Sequence, residues 1–213
     1  MRCERSKGAP VLLSDSHRFV FVHIYKAGGS SIVSALGKYS IIDKPYHSTA
    51  AQIRSTLFPP GGSRVWSDYF KFTFARNPWA FCVSLFFWLQ QNAQHDMCAF
   101  VRSLDFLSFL RLMQSPADCS HVFEHGSFWI YRRPLSSFVV DQDGGLLVDF
   151  VGRVEAMETD FAYVCEVLGI REPLPHTNRS THAPWRDCYD REGRDIVAEL
   201  FAPDIDRWGY RFE

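Results

Sequence analysis

Two segments in which an apolar run breaks into a polar turn and then a helix start constrain this chain most. In the first, Arg18–Ile24 (RFVFVHI) is rich in β-branched and aromatic residues and reads as a buried strand. It enters a glycine-containing loop over Tyr25–Ser31, and Ser30–Lys38 can start a helix. In the second, Tyr69–Ala75 (YFKFTFA) is another strand, followed directly by Arg76, Asn77 and Pro78. Asn77 is a good N-cap and Pro78 fits the first helical position, so a helix starts there and runs to about Gln91. The same reading predicts a helix over 104–113 and a strand over 146–154 after an Asp143-Gly144 turn. It also predicts a helix over 158–168 ended by Gly169, and a last long helix over 192–201. Strands that alternate with helices argue for an α/β fold with a largely parallel sheet.

Length and composition close off other classes. A chain of 213 residues with 46% hydrophobic and 22% charged residues is an ordinary globular chain, read as one domain over 1–213. Residues 95–133 lack clear alternation and read as an insertion or lid. With 23 basic and 24 acidic residues the net charge is −1, which gives no bulk attraction for nucleic acid. The six cysteines (Cys3, Cys82, Cys98, Cys119, Cys165, Cys188) are far apart with no CxxC pair, and read as separate reduced thiols. The apolar run Ala9–Leu13 is too short for a signal peptide and Trp79–Leu89 too short for a membrane span. The expected location is therefore cytoplasmic; oligomeric state is not legible.

The loop HIYKAGGSS, His23–Ser31, is the most informative segment. Gly28 and Gly29 let backbone amides approach an anion closely. Ser30 and Ser31 open a helix, whose N-terminus attracts phosphate, and Lys26 adds a positive charge. The lysine precedes the glycines, whereas in GxxxxGK[ST] it follows them, and no hydroxyl next to it is placed to hold magnesium. Lys26, Ala27, Gly28, Gly29, Ser30 and Ser31 are thus one candidate anion cradle, in a P-loop-like central sheet flanked by helices. In FTFARNPWAFCVS, Phe72–Ser84, Arg76 stands at a strand end and Ser84 on the following helix, and the pair is a candidate grip for a second phosphate. Each segment also has a plain structural reading, as an ordinary βα turn or as an arginine paired to a carboxylate.

HIYKAGGSS resembles the 5′-phosphosulfate loop of the sulfotransferases, and FARNPW…S resembles their 3′-phosphate motif. The nearest resemblance is to the carbohydrate sulfotransferase group, sulfotransferase family 2. DKPYHSTAAQIR, LLVDFVGRVEAMETDF, PHTNRSTHAPWRDCYD and DIDRWGYRFE resemble further family segments in the same order, so the likeness covers about 19–91 and 134–213. Tyr25 replaces the family's usual proline, Ala27 its threonine and Phe81 an arginine. The resemblance implies transfer of a sulfuryl group from 3′-phosphoadenosine 5′-phosphosulfate (PAPS) to an acceptor hydroxyl on a carbohydrate or small metabolite. The product would be 3′,5′-adenosine bisphosphate (PAP), and no metal would be required. Lys26 would neutralise charge on the leaving phosphate. His47, between the two matched motifs, is the candidate general base, since an imidazole titrates near ~6.5. Arg179 and Ser180 would close over the nucleotide. Arg153 and Glu155 would form an ion pair at a strand end or touch the nucleotide.

Other readings stay open on the sequence alone. A P-loop kinase using ATP would need magnesium and would not select a 3′-phosphate. A non-catalytic nucleotide-binding protein would bind without transfer. His121–His125 (HVFEH) fits the HxxEH zinc-protease pattern, but Pro116 and Gly126 leave little room for the helix it needs. Cys119, His121 and His125 form a further candidate metal set.

Overall fold

Phe70, Phe72 and Phe74 alternate with Lys71, Thr73 and Ala75, so the strand that carries them offers an aromatic face and a smaller, more polar one. The computed structural model describes residues 11–41, 48–114, 130–175 and 184–213. In it β1 (Leu12–Ser14), β2 (Phe19–Phe21), β3 (Phe70–Ala75) and β4 (Phe150–Arg153) form one sheet in the order β1-β2-β3-β4. β1 pairs antiparallel with β2; β2 with β3 and β3 with β4 are parallel. The described α-helices are α1 (Gly29–Leu36), α2 (Ala50–Leu57), α3 (Pro78–Gln91), α4 (Cys98–Arg102) and α5 (Phe106–Gln114). They continue with α6 (Met157–Leu168), α7 (Arg191–Leu200) and α8 (Ala202–Trp208). The fold is therefore α/β with a mostly parallel sheet, as the alternation of strands and helices predicts.

The described residues group into two compact units. One contains 11–76 and 135–175, the other 77–114, 130–134 and 184–213. The first holds the sheet. Leu12, Phe19, Phe21, Phe72 and Phe74 meet Ile32, Ala35 and Leu36 of α1 and Phe161, Val164, Cys165 and Leu168 of α6 in one core cluster. On the other face of β3, the Thr73 hydroxyl donates to Val22 O at 2.6 Å. Lys71 is only 6% exposed, and its ammonium lies 2.9 Å from Asp149 Oδ2. That oxygen also accepts the Lys71 amide at 2.8 Å, so the buried charge is paired and hydrogen-bonded.

The second unit is helical among its described residues. Asn77 caps α3 as its sequence predicts, accepting from Trp79 N at 3.1 Å and Ala80 N at 3.4 Å. Its amide donates to Arg211 O at 2.8 Å. α3 is buried from Pro78 to Phe86 and at Leu89. Phe81, where the family usually has arginine, is fully buried with its ring 5.5 Å from that of Phe201. The phenylalanine thus serves packing.

Several expectations need adjustment. The strand predicted over 146–154 is confined to Phe150–Arg153, because Leu146 instead bridges Val140 after the Asp143-Gly144 turn. The strand predicted over 18–24 is three residues long, though Val22 N still donates to Phe72 O at 2.9 Å. Within 95–133 the structure adds α4, a helix the sequence reading did not anticipate, as it did not anticipate α2. Cys82, Cys98, Cys165 and Cys188 are free thiols.

Candidate functional site

Parallel pairing brings the C-terminal ends of β2, β3 and β4 to one edge, where open α/β sheets bind ligands. There β2 leads into His23–Gly28, β3 into Arg76, and β4 into Val154–Met157. The loop after β2 takes left-handed backbone at Lys26 (φ 56°) and Gly28 (φ 75°). A side-chain-bearing residue in that region costs on the order of 1 kcal/mol, so the lysine is held there against its own preference. Gly28 is the N-cap of α1 and offers no side-chain hydrogen bond to it, and no acidic residue stands in the first turn. The first turn of α1 therefore brings no carboxylate of its own to answer its partial positive charge.

Two basic side chains, Lys26 and Arg76, meet at this loop. Arg76 Nη1 donates to the Lys26 carbonyl at 3.2 Å, which ties the start of the β3–α3 turn to the loop. Burial, and after it the Arg76 charge, lowers the Lys26 amine from the usual 10.5 to about 7. A lysine so depressed gains strongly from any anion that enters beside it. Ser30 is exposed and Ser31 half-buried at the first turn of α1, while Ala27 is buried.

The glycines fit their neighbours closely, which sequence reasoning did not foresee. A β-carbon at Gly28 would lie 2.7 Å from Met157 Cε and 2.8 Å from Met157 Sδ. A β-carbon at Gly29 would overlap the edge of the His23 ring at Nε2 and Cδ2. A β-carbon at Gly152 would lie 2.6 Å from the Phe74 ring, so β4 approaches β3 through a glycine. The carboxylate of Asp160 in α6 accepts the Arg153 amide at 2.6 Å, closing the turn that carries Met157. The GRVEAMETDF segment is thus a support for the loop. Its signal in the sequence is Gly152 together with Asp160. The Arg153 side chain is exposed at the end of β4.

Of the predicted site residues, the structure brings together Lys26, Ala27, Gly28, Gly29, Ser30, Ser31 and Arg76. Ser84 lies on α3 in the other compact unit and is 2% exposed, so it is not a solvated helix residue. His47, Arg179 and Ser180 lie outside the described residues, as do Cys119 and the His121–His125 motif. Among the described residues no group of three His, Cys, Asp or Glu side chains is placed to hold a metal. No described helix is long and apolar enough to cross a membrane.

In the helical unit, part of 95–133 forms a polar-aromatic cluster. His95 Nδ1 accepts the Met97 amide at 3.2 Å and its Nε2 lies 3.2 Å from Tyr131 Oη, with Trp88 edge-on to the imidazole at 5.3 Å. The Met97 amide can only donate, so neutral His95 carries its proton on Nε2. Burial lowers the His95 imidazole and pushes the Tyr131 phenol up to about 12. Arg132 binds the C-terminal carbonyls of α5, through Nε to Met113 O and through Nη2 to Gln114 O at 3.0 Å. Its guanidinium therefore closes a helix end.

A sulfotransferase family model matches residues 10–211. The chain belongs to the sulfotransferase family. Its match takes in the loop, the Arg76 turn and the β4–α6 support together. An uncharacterized protein of Archaeoglobus fulgidus is 29% identical over 113 residues, which is 53% of this chain and 78% of that protein. No solved structure matches the chain.

Proposed function

We propose that this sulfotransferase takes its sulfuryl group from PAPS and delivers it to a hydroxyl of a carbohydrate or small metabolite. The observation that carries the reading is the meeting of Lys26 and Arg76 on a glycine loop at the uncapped start of α1. These residues fit a nucleotide with anionic groups: two cations, closely approachable backbone and a positive helix end. When bound, PAPS supplies an activated sulfuryl group and a phosphate able to leave. Lys26, with the loop amides and the hydroxyls of Ser30 and Ser31, holds the 5′-phosphate side and steadies charge on the departing oxygen. Arg76 takes the 3′-phosphate. His47 removes the proton of the attacking hydroxyl. Arg179 and Ser180 close over the nucleotide. The chain acts as one sulfotransferase-like domain, residues 95–133 forming the acceptor side, in the cytoplasm. A P-loop-like sheet serves here without a metal, since sulfate carries less charge than phosphate.

The test is titration calorimetry with PAP and AMP. A charge-assisted phosphate contact is worth ~1.5–3 kcal/mol, so PAP should bind at least about tenfold more tightly. Equal affinity would remove the 3′-phosphate site, and a preference for ATP with magnesium would move the reading to a kinase.

A further inference from the structure

Gly29 presents a question that its backbone does not answer. It is the first residue of α1 and does not have a positive φ, so its own conformation does not call for glycine. Alanine would suit a helical position better by ~1 kcal/mol. The reason lies one strand back. His23 follows β2, is 5% exposed, and stacks on Phe21 with ring centroids 5.6 Å apart and planes 23° apart. Phe21 is itself fixed in the core cluster, its ring centroid 5.2 Å from that of Phe72. The imidazole therefore has no room to swing away, and it fills the volume that a side chain at 29 would take.

We propose that His23 is a positioning residue for the anion site: its buried ring seats against Gly29 and so fixes where the first turn of α1 presents its amides. The inference rests on the nucleotide reading above for its functional consequence, and on packing alone for its structural one. The first turn of α1 has no side-chain cap to hold it from outside. Its position is set from beneath, through a ring-for-hydrogen fit that only glycine allows. Met157, beside Gly28, braces the loop from α6. The site is thereby linked to the aromatic core through Phe21 and His23.

The experiment is a double-mutant cycle on His23 and Gly29 with two readouts: PAP affinity by calorimetry, and hydrogen exchange of the Ser31–Val33 amides in the ligand-free protein. Gly29→Ala should weaken PAP by about tenfold and speed exchange, because the new methyl meets the ring. His23→Ala should do likewise by leaving the turn unsupported. In His23→Ala with Gly29→Ala the methyl enters the vacated space, so the pair should bind better than Gly29→Ala alone. His23→Phe, which keeps a flat ring, should retain binding. A structural filler remote from the site would lower the melting temperature without moving PAP affinity. Should Gly29→Ala fail to fold, His23→Ala still decides: unchanged PAP affinity and unchanged exchange of the α1 amides would overturn the proposal. So would a double variant no better than Gly29→Ala in both readouts. A wild-type chain that binds no PAP would refute the nucleotide reading, and the exchange readout would then decide the His23 proposal by itself.

Discussion

Lys26 should take up a proton when the site fills. In the ligand-free protein burial and Arg76 hold its amine at about 7. At pH 8 only about one tenth of the molecules then carry the charge, one tenth following from a single unit between pH and pKa. A dianionic phosphate beside the amine favours the charged form and returns it toward the ordinary lysine range. Binding PAP at pH 8 should therefore draw in about 0.9 proton per nucleotide, the uptake by Lys26 falling to about 0.1 near pH 6, where the amine is already mostly charged. The phosphates of PAP are fully ionised at pH 8 and contribute little. The assay is calorimetry in buffers of low and high ionisation enthalpy at matched pH, where the difference in apparent heat reports the protons exchanged. Lys26→Met should abolish the buffer dependence. The depression has a stability counterpart with a definite sign. Between about 7 and 10.5 the unfolded chain holds the proton and the folded one does not, so stability from this group rises with pH across that window. Lys26→Met should remove that rise. Tight PAP binding with no buffer dependence at pH 8, in a protein whose Lys26 is intact, would refute this electrostatic account of the loop.

Other outcomes follow from the same geometry. Arg76→Ala should erase most of the PAP-over-AMP preference, checked by calorimetry, and loosen the loop whose Lys26 carbonyl it holds. His47→Ala should slow sulfuryl transfer by ~10²–10⁴-fold while leaving PAP affinity nearly unchanged, read from single-turnover rates. Asn77→Ala removes the cap of α3 and should cost ~1 kcal/mol of stability in urea titration. Phe74→Ala, at the centre of the sheet core, should cost ~3–5 kcal/mol by the same measurement.

The parts of the fold legible in the sequence are those with local causes. α3 is written by Asn77 and Pro78, and α6 ends where Gly169 takes a left-handed conformation (φ 63°). The Phe70–Ala75 alternation announces the central strand. β1 was not legible because Leu12–Ser14 is too short to show a period and forms only by pairing with β2. α2 was missed although its capping box, Thr49 with Gln52, stands in the sequence; its apolar signal is weak, with only Ala50 and Ile53 buried. In the site, Lys26 and the two glycines are visible as an anion loop because charge and backbone freedom are properties of the residues themselves. The fits of His23 to Gly29 and of Met157 to Gly28 are not, since they depend on which atoms fold back onto the loop. The departure at Phe81 likewise gains its meaning only from Phe201, distant in the chain.

The central claim is sulfuryl transfer from a bisphosphate nucleotide without a metal, and isotope-labelled PAPS tests it directly. Purified protein is incubated in EDTA with a panel of sugars and hydroxylated metabolites, beside Lys26→Met as control. The account predicts labelled acceptor with the wild-type chain and little or none with the variant. Label that never leaves the nucleotide for any acceptor, in a protein shown to bind PAP, would contradict it, as would transfer that requires magnesium.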